Sequence, residues 1–382
     1  MSVSEFQPDG WVDLSISIIT CAGGIGQILP YIAGSLYRRD GNGYNRSGIL
    51  RFYKTEVFSL AVLYVTSSAG AVGKTTICAG LGRHLLDNGK KVGFLKLVIG
   101  DNKQTKSIDG DALFMKQILG LDEPLVTICP SIGSQENIAS RVKEACAAVS
   151  KDKDVVIVEG GGCEQGIVAA LDGKVIAVEG YSNGLPRTGF KNGYKDLADY
   201  LLGVVLNMVP AGQVESIAGE LASGKGGLNI VGVLPEDRTL FTLSVGELAE
   251  HLGGEILNNA EKSAELVDNF MLGAMTVDSG PTYFGRKANK AAVISSRRPD
   301  MQLAALETSL KCLILSGKEA PIPAVLSRAK DKGVPIIAVK SDTLSTVTAI
   351  EDALGNARFN QKKKLPRLAE IMGKHFNFPA VY

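Results

Sequence analysis

Apolar residues in this chain come in short runs separated by stretches of helical spacing, and the alternation begins near residue 58. Leu60-Ala61-Val62-Leu63-Tyr64-Val65 reads as a buried strand, and Ile77 to Leu86 carries the spacing of a helix. Lys91 to Leu97 reads as a second strand, with helices over Asp111 to Leu119 and Ile138 to Val149. Four more apolar runs read as strands: Asp154 to Val158, Lys174 to Val178, Leu202 to Leu206 and Asn229 to Leu234. Continuous apolar strands alternating with helices predict a parallel sheet covered on both faces, over residues 58–235.

The pattern changes after Pro235. Ser244-Val245-Gly246-Glu247 has the form of a capping box, and Gly253-Gly254 closes the helix it opens. Ala291 to Ser295, Cys312 to Leu315 and Pro335 to Val339 read as three strands with helices between them, a smaller α/β unit over 236–353. The C-terminal tail, 354–382, holds Lys362-Lys363-Lys364, a proline and a short amphipathic stretch, and reads as a solvated or docking tail.

Residues 1–57 do not share this pattern. Leu14 to Tyr37 carries no charge, but its glycines, proline, serines and glutamine make it a poor membrane span. No basic stretch precedes it as a signal peptide requires. Ala22-Gly23-Gly24-Ile25-Gly26 has the glycines of a dinucleotide turn, without a surrounding βαβ unit. Three readings compete: a disordered or mis-assigned extension, a membrane-associated segment, and an ordered element. The first is the expectation, and no membrane partner is expected.

Composition narrows the function classes. Net charge is +1, so no basic surface argues for nucleic acid. Six cysteines are scattered without a Cys-x-x-Cys pair, which reads as reduced thiols in a cytoplasmic protein. The three histidines lie far apart, and His84 reads as a surface or packing residue.

The chemistry concentrates at the predicted strand ends. Ser68-Ala69-Gly70-Ala71-Val72-Gly73-Lys74-Thr75-Thr76 lies between a strand and a helix, the setting of a phosphate-binding loop. Backbone N–H groups there point at an anion; Lys74 would reach the β- and γ-phosphates of a nucleotide, and the Thr75 hydroxyl would hold Mg²⁺. The full pattern has glycine where this chain has Ser68. Ligands of open parallel sheets bind at the carboxyl ends of strands. Asp111 opens a helix after the second strand, and Glu159 ends a strand just before Gly160-Gly161-Gly162. Thr75, Asp111 and Glu159 form an oxygen-donor set suited to Mg²⁺; a helix N-cap is the other reading of Asp111, and a solvent-facing strand end that of Glu159. Asn207 is either an adenine contact or a turn residue. Lys96 either faces the phosphates or a co-substrate carboxylate, or is a sheet-edge lysine.

With these motifs in order, residues 60–235 resemble dethiobiotin synthetase and its P-loop relatives, which include cobyrinic acid a,c-diamide synthase. The matching residues are the loop to Thr75, Lys96-Leu97-Val98, Asp111-Ala112, Glu159 to Gly162, Asn207 and Gly232-Val233-Leu234-Pro235. The resemblance implies Mg²⁺ ligation by Thr75, Asp111 and Glu159, ATP as the nucleotide, and an adenine contact by Asn207. It also implies a homodimer. The synthetase has Lys-Pro-Val in place of Lys96-Leu97-Val98. Related partitioning ATPases carry a second lysine where this chain has Ala69, so a dimer with a lysine in trans is not indicated. The following unit resembles the DRTGG domain through Asp237-Arg238-Thr239, Met275 to Asp278, Ser295 to Asp300, Ala304 to Glu307 and Leu313 to Gly317. The pairing is similar to the N-terminal half of long bacterial phosphate acetyltransferases, and implies an enzyme of acyl-phosphate metabolism as a partner. Only Gly355 to Tyr382 follows, so transferase activity is not expected from this chain alone.

Three functional readings follow. The leading one is a Mg-ATP-binding regulatory or sensor protein, with or without slow ATP hydrolysis. The second is an ATP-dependent carbon–nitrogen ligase, with Lys74 and Lys96 as its catalytic lysines. The third is a scaffold whose phosphate loop has decayed.

Overall fold

The computed structural model describes residues 11–20, 30–40, 43–51, 60–99, 109–133, 137–161, 165–181, 194–222, 229–274 and 280–382. The glycine turn Ala22 to Gly26, Gly162, Cys21, Cys163 and the Met275 to Asp278 motif lie outside them. The chain divides into two compact units, Met1–Ser59 and Leu60–Tyr382. In the first, the segment expected as a disordered extension carries three antiparallel strands, β1 (Trp11–Thr20), β2 (Pro30–Asp40) and β3 (Gly43–Arg51). Leu14, Ile16 and Ile18 alternate with Ser15 and Ser17, the period of a strand.

The second unit holds two α/β layers. The larger sheet has six parallel strands: β4 (Ala61–Thr66), β5 (Val92–Lys96), β6 (Val155–Glu159), β7 (Lys174–Gly180), β8 (Leu201–Val209) and β9 (Ile230–Pro235). Their spatial order is β9-β8-β7-β4-β6-β5. The order reverses at β4, so a crevice opens at its carboxyl end. Both faces are apolar, as the sequence predicts. On one, Leu63, Val65, Phe94 and Ile157 meet α1 (Lys74–Asp87) and α2 (Gly110–Leu119). On the other, Val62, Tyr64, Leu95 and Val156 meet α3 (Ile138–Ser150).

The smaller sheet is β10 (Glu255–Ile256), β11 (Asn269–Leu272), β12 (Lys290–Ser295), β13 (Leu310–Ser316) and β14 (Ile336–Val339), in the order β10-β14-β13-β12-β11. All but β10 run parallel. Helices Pro299–Leu306 and Pro323–Lys332 cover one face; Val245–His251 and Thr343–Gly355 cover the other. The expected capping box is formed: Glu247 N donates to Ser244 Oγ, and Ser244 N to Glu247 Oε2.

The C-terminal stretch is not a solvated tail. Helix α4 (Leu365–His375) buries Leu368, Ile371 and Met372 in the core of the larger layer, followed by Phe376, Phe378 and Val381. Its spacing is visible in the sequence; its partner is not. That partner is α1, where a Cβ built on Gly80 would collide with Met372 Sδ. Glycine inside a helix costs about 1 kcal/mol against alanine, here offset by close helix approach. His84 is a packing residue, stacked on Phe378 with ring centroids 3.6 Å apart.

Lys364, just before α4, is 0% exposed and its Nζ donates to Arg358 O at 3.0 Å. Burial pushes its ammonium down to about 8, against the opposing pull of Glu247. The unfolded chain, with an ordinary lysine value of about 10.4, therefore holds more protons than the folded chain at pH between the two values. Stability contributed by this site rises with pH through that window and is flat below it. We expect the stability difference between wild type and Lys364→Met to move by about 1–2 kcal/mol in favour of wild type from pH 7.5 to 9.5. Paired denaturant titrations check this; a constant difference would show that Lys364 does not titrate there.

Candidate functional site

The phosphate-loop segment joins β4 to α1, and Gly73 caps α1 with φ 92° and no side-chain bond to its first turn. Those N–H groups are left for a ligand. A Cβ on Gly73 would strike Asn207 Nδ2, so this position requires glycine for conformation and for space. Ala71 also sits in the left-handed region, at φ 57°. Asn207, near the end of β8, donates through Nδ2 to Val72 O at 2.9 Å and ties that strand to the loop.

Ser68, the departure from the glycine pattern, has a structural partner. Its N and Oγ donate to the Glu179 carboxylate at 3.1 and 2.8 Å, and the Tyr194 hydroxyl donates to the same carboxylate. The sequence reading overlooks Glu179, although its setting resembles that of Glu159: both are carboxylates at the end of a buried strand, followed by glycine. Lys74 Nζ donates to Ser67 Oγ at 2.8 Å, and Ser67 Oγ donates to Ala69 O at 2.6 Å.

Beyond the loop lie three carboxylates and a lysine. Thr75 Oγ1 donates to Glu159 Oε1 at 2.8 Å. Glu159 is buried, and its Oε2 has no hydrogen-bond partner. Burial raises its carboxyl above the usual range, with Asp111 adding to the rise and Lys96, Thr75 and Lys74 opposing it. Lys96 Nζ donates to Asp111 Oδ2 at 2.6 Å and Asp109 Oδ1 at 3.0 Å. Burial works against its ammonium, but Glu159, Asp111 and Asp109 outweigh that and raise its pKa. Asp109, not Asp111, caps α2, accepting from Ala112 N at 2.9 Å. Burial is likewise outweighed at Asp109, whose carboxyl is held below the usual value by Ala112 N–H and Lys96.

These groups share a cavity of about 690 Å³. Ala71, Val72, Gly73, Lys74, Thr75, Thr76, Lys96, Asp111, Glu159 and Asn207 line it; Ser68, Ala69 and Gly70 do not, and are exposed at the loop's outer turn. Two segments complete the wall that the sequence reading does not place there. One is Pro235 to Phe241, the link into the smaller layer, and the other is Gly355 to Phe359, the link out of it. Another cavity, of about 520 Å³, lies away from these groups, along β9 and residues 374–377.

Among the described residues, no cluster of three or more His, Cys, Asp or Glu side chains suits a metal by itself. The donor set fits a different kind of site. A hydroxyl and two carboxylates, one of them with a buried oxygen that has no partner, match an ion that takes its remaining ligands from water and phosphate.

Two family models match the chain: the AAA domain over residues 61–185 and the DRTGG domain over residues 247–353. The first match falls on the larger α/β layer and the second on the smaller one. It is 22% identical to a phosphate acetyltransferase of Nitrosomonas europaea over 354 residues, covering 82% of this chain and 50% of that one. The chain spans about half the length of the curated relatives it matches. Among solved structures, cobyrinic acid a,c-diamide synthase of Mycobacterium smegmatis with bound ADP and magnesium aligns over 47% of this chain and 88% of its own. Identity there is 18% and the TM-score 0.33. The CBS and DRTGG domains of the regulatory region of Clostridium perfringens pyrophosphatase, complexed with the activator diadenosine tetraphosphate, align over 49% and 76%. Identity there is 16% and the TM-score 0.27. No described helix is long and apolar enough to cross a membrane.

Proposed function

We propose that this chain, a P-loop domain joined to a DRTGG domain, binds Mg-ATP and uses it to set the state of the smaller domain. The observation that carries the reading is the cavity in which Lys74, Thr75 and the buried, half-satisfied Glu159 converge on the uncapped start of α1. Lys74 would pair with the phosphates, and Asn207 and Pro235 would border the base. Thr75, Asp111 and Glu159 would hold Mg²⁺, which when bound neutralises phosphate charge. Asp111 must then release Lys96, which keeps Asp109 as its partner.

The regulatory part rests on the walls. Both links to the DRTGG domain border the cavity, so a nucleotide contacts the joint between the layers. Binding that prefers one arrangement of the joint shifts the population toward it. The likeness to half of a phosphate acetyltransferase supports a partner enzyme of acyl-phosphate metabolism, and a homodimer and a cytoplasmic location belong to the same reading. A carbon–nitrogen ligase would need Lys96 free to meet a substrate carboxylate, and two aspartates already hold it.

Thermal melts of the full chain test the reading. Mg-ATP at about a hundred times its Kd should add about 2.7 kcal/mol and raise the melting temperature. EDTA should remove most of that gain. No nucleotide-dependent rise at millimolar Mg-ATP would sink the proposal.

A further inference from the structure

We infer that Arg358 binds the phosphates of the nucleotide and links their presence to the position of the DRTGG domain. The inference rests on the Mg-ATP reading above and adds a residue that lies far from the phosphate-loop motifs in sequence.

The geometry around Arg358 is unusual for a linker. Ala357 packs against the core of the smaller layer, whereas Phe359 is buried in the core of the larger one. Phe359 meets Phe114 edge-on, with ring centroids 5.6 Å apart at 82°. Phe114 lies on α2, the helix that carries Asp111. Arg358 is therefore the single residue between two hydrophobic anchorages, one in each domain. Its carbonyl is held by the buried Lys364 Nζ at 3.0 Å. Nearby ties fasten the same strap on both sides: Lys363 to Glu265 at 2.7 Å, Gln361 to Glu247, and Arg367 to Asp237 at 2.6 Å.

Arg358 is exposed and borders the cavity with Lys74, Thr75 and Glu159. The other charges there have partners, for Lys74 the Ser67 hydroxyl. Asp109 and Asp111 hold Lys96, Asp237 holds Arg367, and Glu159 accepts from Thr75. Arg358 has no ion pair among the described residues. A guanidinium with free donors, on a residue that borders a site built for phosphates, can match their oxygens in fork geometry. Because its neighbours are anchored in different cores, a displacement between the domains carries Arg358 toward or away from Lys74. A bound polyphosphate that engages both cations then favours one spacing.

Calorimetric titration of the full chain with Mg-ATP tests this, using wild type, Arg358→Ala, Arg358→Lys and Lys74→Ala. Arg358→Ala should weaken binding by roughly 10- to 100-fold, the range of hydrogen bonds to charged groups, without changing the melting temperature of the nucleotide-free protein. Arg358→Lys should recover part of the loss, since it keeps the charge. If Arg358→Ala binds as wild type does while Lys74→Ala loses binding, the inference fails and the Mg-ATP reading stands. If Arg358→Lys is as weak as Arg358→Ala, the phosphate role is wrong. If wild type itself does not bind Mg-ATP, both readings fall together.

Discussion

Lys74→Ala should lower affinity for Mg-ATP by roughly 100-fold or more while leaving the protein folded. The magnitude follows from removing a charge-assisted contact to phosphate in a partly buried site. The folding side follows from what Lys74 does in the free protein. Among the described residues its ammonium makes one hydrogen bond, to Ser67 Oγ, and that hydroxyl has its own bond to Ala69 O to keep when the lysine is gone. The loop retains its other ties as well, Ser68 to Glu179 and Asn207 to Val72 O. Calorimetry with Mg-ATP, beside a melt of the nucleotide-free protein, separates the two effects. Unchanged affinity would mean that the nucleotide does not use this loop. A large fall in the melting temperature of the free protein would mean that Lys74 is structural.

The largest effect on stability is expected from Met372→Ala. Met372 is buried in the core of the larger layer, and its sulfur occupies the space that Gly80 leaves on α1. Truncating a buried methionine costs about 2–5 kcal/mol through lost contacts and the cavity that remains. For a domain of this size each kcal/mol lowers the melting temperature by about 2–4 °C, so a fall of several degrees is expected. Differential scanning calorimetry gives the number. A shift within error would return the C-terminal helix to the status of a loosely docked tail.

The larger layer is legible in the sequence because its strands are buried on both faces and read as unbroken apolar runs, as at Val155 to Val158. The central site is legible for a related reason. A parallel sheet brings strand ends together, so Thr75, Lys96, Asp111, Glu159 and Asn207 could be assembled from their positions alone, and all five border one cavity. The misses share a cause. Glu179 holds a loop residue 111 positions away, and no local pattern announces such a pairing. The helix Leu365–His375 shows an apolar face at Leu368, Ile371 and Met372, but only the absence of a side chain at Gly80 tells where that face goes. Gly355 to Phe359 reads as an ordinary linker because its two destinations, one residue apart from the middle, belong to different domains. The strands β1 to β3 span a glycine-bearing segment, uncharged from Leu14 to Tyr37 and charged beyond it, in which short alternations such as Leu14 to Ile18 are broken up by glycines and a proline.

The chain passes between its two α/β layers at Pro235 to Phe241 and again at Gly355 to Phe359, and both passages border the same cavity. An occupant there sits at the fulcrum and not at the rim. A domain the size of the smaller layer is about 30 Å across, so a small wedge at the pivot is magnified into a wide swing at its far edge. A protein gripping that far edge could report on the pivot without ever touching what lies in it.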